Sequence, residues 1–278
     1  MTGEIARAIT LTTYGNAYLK KEYDISSLTL EHPSFKFCNK TEFLFPKIFL
    51  FKKFWFQYAD NPISWLKKLK HDGCLEIRFG FEPDNINNLE GKIVPDYKLA
   101  GFVGGGGKHL IQTVFKNQTD LWQSIEEVTN ENSPDDRMWT IRFLRIKSGL
   151  KLVQKKEYNI DKLKDTMRNK LSELSSFAKN EKLDHWSDFF DEALNLLNSD
   201  QPFLNYWNKD MVPIDIIKLN SLQLLSSAGK AWCFGGMGSW NDNNFDNDKT
   251  TQKYERLTGE LYDIINEAYT AVSNGNFL

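Results

Sequence analysis

Cysteine is scarce in this chain. Cys38, Cys74 and Cys233 are odd in number and widely spaced, a pattern that fits buried free thiols in a reducing compartment better than a disulfide framework. Long apolar runs are missing as well, and none approaches the roughly 18 residues that a membrane span needs. Residues 1–8 carry no basic stretch leading into an apolar core of signal-peptide length. The expectation is a cytoplasmic protein without a membrane association. Histidines number only four. His32 lies near Cys38, and His71 near Cys74, but neither pair has the tight spacing of a zinc knuckle. An EF-hand reading of Asn244, Asp246, Asp248 and Glu255 fails because Lys249 stands where the turn needs glycine. No Walker, Rossmann or zinc-protease motif occurs, and Gly238-Ser239-Trp240 lacks the further glycine of a nucleophile elbow. No metal and no cofactor is therefore expected. Internal repeats and low-complexity linkers are absent too.

What is present is a core. Apolar residues make up 41% and aromatics 14% of 278 residues, enough to exclude general disorder and to fill one large domain or two smaller ones. The net charge of −2 hides an uneven distribution: residues 137–170 hold 11 Lys/Arg against 3 Asp/Glu, and residues 171–278 hold 8 against 16. Mutual pairing of these segments is the expectation. A basic stretch with Trp139 and Phe143 nearby also admits nucleic-acid contact, but the chain lacks the domain-wide basicity of a binder.

The N-terminal half reads as strands. Residues 5–14, rich in Ile and Thr, and 17–23 flank a hairpin-like Gly15-Asn16. Residues 43–51, continuing through Phe54-Trp55-Phe56, form the densest apolar segment. Its lysines, Lys47, Lys52 and Lys53, admit a membrane-interface reading, but the segment lacks a helical period and reads as a buried strand. Asn61-Pro62 opens a short helix ending near Gly73, and residues 74–81 alternate as a strand. Glycines 104–107 precede a strand-like segment, so they are no phosphate loop; they join strands 97–103 and 108–116 as a hairpin, or form a flap over a site. Residues 120–128 read as a short helix and 137–147 as a central strand. Helical periods follow over 160–179, 183–197, 214–228 with Gly229 as its left-handed cap, and 250–273. The fold class is α+β: a β-rich, mostly antiparallel half (residues 1–150) followed by about four helices (151–278), as one continuous domain or two.

The stretch 229–248 stands apart in composition. Gly235, Gly236 and Gly238 relax the backbone, Trp232 and Trp240 bracket them, and a run of short polar side chains follows. Trp232 directly follows an apolar helix and should be packed, whereas Trp240 should stand clear of the core as a contact group. The leading functional expectation is a protein-interaction or accessory protein, such as an inhibitor, an immunity protein or a component of a multi-gene system. It would act on another protein through Gly235, Gly236, Gly238, Ser239, Trp240, Asn241 and Asp242. The alternative is an enzyme or small-ligand binder with a polar pocket between sheet and helices under the same loop. Glu76, Arg78, Arg142 and Arg145 are candidates for such a polar cleft on the sheet. A nucleic-acid factor using residues 137–170 comes third.

Overall fold

A computed structural model of the chain describes residues 1–83, 86–87, 93–101, 105–131, 133–203, 209–235 and 237–275. Its first element corrects the first strand expectation: residues 5–23 form no hairpin, because Gly3–Lys21 is one α-helix, α1. Thr2 caps it by accepting a hydrogen bond from the Ile5 amide, Glu4 lies in the first turn and Lys20 and Lys21 in the last, as the helix dipole favours. Its Ile and Thr content suggests a strand, but the helix is buried on every side from Ile5 to Ala17, and burial overrides a weak intrinsic preference. Two of the buried threonines bond to backbone carbonyls, Thr13 to Ile9 at 2.9 Å and Thr10 to Met211 at 3.0 Å.

Six strands form the main sheet in the order β2-β1-β8-β7-β6-β3. They are β1 (Cys38–Phe49), β2 (Lys52–Ala59), β3 (Glu76–Glu82), β6 (Lys108–Val114), β7 (Thr119–Val128) and β8 (Trp139–Leu150). Every neighbouring pair is antiparallel except β1 and β8, which run parallel. A separate two-residue ladder joins β4 (Ile86–Asn87) to β5 (Ile93–Val94). The predicted helix at 120–128 is thus a strand, held by backbone pairing to β6 and β8 on both sides. Residues 96–99 form a single helical turn, α3 (Asp96–Leu99), where a strand over 97–103 was expected; residues 102–104 lie outside the described residues. The glycines before β6 therefore do not join two strands.

The helix α2 (Pro62–His71) starts where the sequence places it, with Asn61 and Ser64 closing a capping box. Its Trp65 packs on Phe43 of β1, ring centroids 4.5 Å apart, and Phe43 stacks in turn on Phe143 of β8. The C-terminal helices are α4 (Ile160–Asn180), α5 (Asp184–Leu196), α6 (Leu219–Lys230) and α7 (Asp248–Ser273). Helix α6 begins later than 214, after a 3-10 turn at Ile214–Ile216, and Gly229 lies inside it rather than capping it. Helix α1 packs against β3, β6 and α7, so one hydrophobic core runs from the sheet through α1 into the helical layer. This is an α+β architecture. No helix among the described residues is long and apolar enough to cross a membrane.

The two edges of the sheet differ. Strand β3 is closed on its outer side by asparagine side chains that imitate a neighbouring strand. Asn16 bonds the Ile77 carbonyl and amide at 2.6 and 2.8 Å, and Asn274 does the same for Phe79 at 2.8 and 2.7 Å. At the other edge β1 pairs with β8 only as far as Leu44. Beyond it, residues 45–56 pair only within the β1–β2 hairpin. The expected buried strand therefore holds only in its first part: residues 47–57 are all exposed, because nothing in the sheet covers the outer hairpin.

Candidate functional site

The glycine–tryptophan loop is a corner built from its own polar groups. The Gly238 and Ser239 amides donate to Asp242 Oδ2 at 2.7 and 3.2 Å, and the Gly235 amide donates to Asn241 Oδ1 at 3.2 Å. Ser239 Oγ donates to the Gly235 carbonyl at 3.2 Å. Gly236 lies outside the described residues. The expected exposure of Trp240 is overturned: its ring is wholly buried among Phe177, Trp186, Phe190 and Tyr254, and its Nε1 donates to Thr258 Oγ1 at 2.9 Å. The short turn at Trp240–Asp242 directs the indole inward onto α4, α5 and α7. Trp232, expected to be packed, is half-buried against Phe234 and Tyr262. Met237, at the outside of the loop, is fully exposed.

The four residues proposed for a sheet cleft do not converge. Glu76 pairs with Arg78 at 2.8 Å and with Lys155 at 2.7 Å on the closed edge strand. Arg142 pairs with Glu42 at 2.7 Å and with Glu127. Arg145 alone lines a hollow, one of about 530 Å³, where it bonds Asp120 at 3.0 Å beside Tyr58 and Asp72. Two strands separate β8 from β3 in the sheet order, which keeps the two groups apart. The basic stretch also meets acidic partners: Lys156 pairs with Glu267 at 2.9 Å and Lys170 with Glu260 at 2.6 Å on α7. Among the described residues no three His, Cys, Asp or Glu side chains gather as a metal-binding group, and all three cysteines are free and buried.

A different set of residues comes together around a partly open cavity. A cavity of about 330 Å³ lies between the start of α1, strands β6 and β7, and the segment 105–107. Glu4 enters from α1, His109 from β6, and Ser124 and Glu126 from β7, while Trp139 and Trp232 supply aromatic walls. Three glycines floor it, and each is required. An added Cβ would come within 2.2 Å of the Leu99 carbonyl oxygen at Gly105, 2.6 Å of Ala100 at Gly106 and 2.5 Å of Phe81 at Gly107. Gly106 and Gly107 also take φ values of +77° and +81°. Tyr262 of α7 donates its hydroxyl to the Gly106 carbonyl and fixes the segment in place.

The proton inventory of this site is inverted relative to free side chains. His109 is buried, and its Nε2 lies 3.2 Å from Asn266 Oδ1; the Asn266 amide nitrogen is already committed to the Tyr262 carbonyl. Nε2 therefore carries the ring proton and Nδ1 presents a bare lone pair, buried and without a hydrogen-bond partner. Burial pulls the His109 pKa down to about 4, so the ring stays neutral. Glu4 Oε1 lies 4.0 Å from that Nδ1. Burial, and then the nearby Glu126 carboxylate, push the Glu4 pKa up to about 7, against the opposing pull of Arg7. Ser124 Oγ donates to Glu4 Oε1 at 3.4 Å, and Arg7, itself buried, is paired with Glu126. A carboxyl that gains and loses its proton near neutrality, beside a neutral imidazole with a free lone pair, is equipped for proton transfer.

Sequence reasoning missed Glu4, Arg7, Ser124, Glu126 and His109. Reading α1 as a strand and β7 as a helix scattered them. The available signal was His109 two residues after the glycine run, together with Glu4 and Arg7 at helical i, i+3 spacing. No protein-family model, no curated protein and no solved structure matches the chain, so the site is read from its own geometry.

Proposed function

We propose that this chain binds a small polar molecule in the Glu4–His109 cavity and exchanges a proton with it through Glu4. The observation that carries this reading is the half-buried Glu4 carboxyl with its pKa near 7, facing the unpartnered Nδ1 of His109 inside a concave cavity. The volume falls at the low end of small-molecule sites. Tryptophan walls suit a ring or another flat apolar face, and protonated Glu4 suits an acceptor group on the ligand. A cytoplasmic location belongs to the same reading and is supported by the three buried free thiols.

Glu4→Gln tests it in two ways. In a thermal-shift screen of small polar ring compounds, ligands should raise the melting temperature of the native protein and lose most of that effect in the variant. Hits that shift both proteins equally, or no hits at all, would contradict the reading. The pH dependence gives a second readout. The Glu4 pKa rises on folding from 4.5 to about 7, so between these values the folded chain holds a proton the unfolded chain has released. Glu4 therefore lowers stability as pH rises through that window. His109 acts in the opposite sense: its pKa falls on folding from 6.5 to about 4, so its contribution weakens as pH drops through that range. The two slopes oppose one another between about pH 4.5 and 6.5. Glu4→Gln should expose the His109 slope and leave the protein about 1–2 kcal/mol more stable near pH 8, a value discounted for the solvent access of a half-buried group.

A second reading, protein contact through residues 235–245, is favoured by the full exposure of Met237 at the crest of a self-bonded loop. Met237→Glu should then abolish capture of a specific partner without changing the melting temperature. Equal capture by both proteins would dismiss it.

A further inference from the structure

The outer part of the β1–β2 hairpin carries apolar side chains on both faces and around its tip. Phe51 is 102% exposed, Ile48 78%, Leu50 76% and Phe49 67%, and Phe54, Trp55 and Phe56 follow at lower exposure. Partner residues of the ladder, Phe49 with Lys52 and Ile48 with Lys53, close on a two-residue turn at Leu50-Phe51. Those two residues take φ values of +46° and +64°. A turn of that geometry ordinarily selects Asn-Gly, since side chains with a Cβ resist positive φ. Leucine and phenylalanine are the wrong residues for the turn, so the turn does not explain their presence.

Charge completes the pattern. Lys47, Lys52 and Lys53 flank the tip, and none forms an ion pair with a carboxylate among the described residues. The Lys47 ammonium lies over the Phe45 and Phe56 rings and the Lys53 ammonium over Trp55, cation–π contacts that hold both charges at the apolar surface without neutralising them. A protein groove covers one face of a strand pair. An element apolar on both faces and at its end is matched instead by a medium that surrounds it. Leu50 and Phe51 lie beyond the lysines, while Ile48 and Phe49 stand opposite Lys53 and Lys52 in the ladder. The apolar tip therefore suits the headgroup and acyl boundary, with the flexible lysine stems reaching back toward the phosphates.

We infer that this hairpin is a membrane-surface anchor: Leu50 and Phe51 at the tip insert into one leaflet of an anionic bilayer, Ile48 and Phe49 sit behind them at the boundary, and Lys47, Lys52 and Lys53 engage the lipid phosphates and carboxylates around them. Apolar insertion and basic attraction act together, as reversible surface association requires. Trp55 and Phe56, further down the hairpin, sit where aromatic rings prefer the interface. The inference is independent of the Glu4 site and requires no membrane span.

The test is co-sedimentation of the full chain with phosphatidylcholine vesicles with and without phosphatidylserine. Three proteins are compared: native, Leu50→Asn with Phe51→Gly, and Lys52→Glu with Lys53→Glu. Asn-Gly suits the turn, so the first variant should melt at or above the native temperature. Native protein should sediment with serine-containing vesicles, less so at raised salt, and the tip variant should bind at least about tenfold more weakly. The lysine variant should lose the preference for anionic lipid. Equal sedimentation of native and tip proteins would overturn the anchor. So would failure of native protein to bind either vesicle, including the case where a dimer or a captured protein partner disappears in the tip variant, which would assign the hairpin to protein contact.

Discussion

Trp240→Ala is expected to cost about 4–5 kcal/mol of folding stability, at the upper end for removal of a buried aromatic ring. The indole is wholly buried, touches aromatic side chains from α4, α5 and α7, and uses its only donor on Thr258. Alanine leaves a cavity where three helices meet. The backbone around it is pinned, through the Trp240 amide to the Cys233 carbonyl at 3.1 Å and the Tyr254 hydroxyl to the Trp240 carbonyl at 2.6 Å, so the corner has little freedom to collapse. Trp232→Ala should cost less, about 1–3 kcal/mol, because its ring is only half-buried and borders a cavity that already exists. Urea unfolding of both variants measures the difference. A cost below about 1 kcal/mol for Trp240→Ala would return the loop to the surface.

The reversal at Trp240 shows where sequence reasoning loses its grip. Composition alone marks residues 229–248 as unusual, but whether an indole turns in or out depends on which helices surround the loop. That is a tertiary fact, carried by Phe177, Phe190 and Tyr254 from distant parts of the chain. The amphipathic helices were legible because one apolar stripe with a polar opposite face has a single reading; α4 keeps Leu163, Met167, Leu171 and Leu174 inside as the spacing requires. Helix α1 was not legible, since an element buried all round has no stripe to reveal its period. Thr13 places its hydroxyl on the Ile9 carbonyl one turn back and Thr10 on the distant Met211 carbonyl, partners that exist only in the folded chain. The Glu4 site inherits that failure: Glu4 and Arg7 reach Ser124, Glu126 and His109 only once α1 lies across β6 and β7. The hairpin tip was legible as apolar and basic, but its exposure follows from β1 parting from β8 after Leu44, a register that no local pattern encodes.

Glu126→Ala should destabilise the protein by about 2–4 kcal/mol, because it leaves the Arg7 guanidinium buried without its counter-charge. The figure lies below that for a fully enclosed pair, since Glu126 keeps part of its surface in water. Arg7 Nε already lacks a hydrogen-bond partner, so the pair with Glu126 is the main compensation for burying that charge. Replacing both partners, Arg7→Met with Glu126→Leu, should recover most of the loss, because no isolated ion then remains inside. The change also acts on Glu4. The Glu126 carboxylate helps to push the Glu4 pKa up to about 7, while Arg7 pulls it down. Without Glu126 its raising influence is gone while the lowering pull of Arg7 remains, so the Glu4 pKa should fall toward the ordinary range. The loss of stability that native protein suffers as pH rises toward 7 should then shrink in Glu126→Ala. Urea unfolding of native protein, Glu126→Ala and the double variant across a pH series separates the two effects. A cost under about 1 kcal/mol, with the Glu4 slope unchanged, would make the pair a solvated surface contact and remove the electrostatic basis for the proton-transfer site.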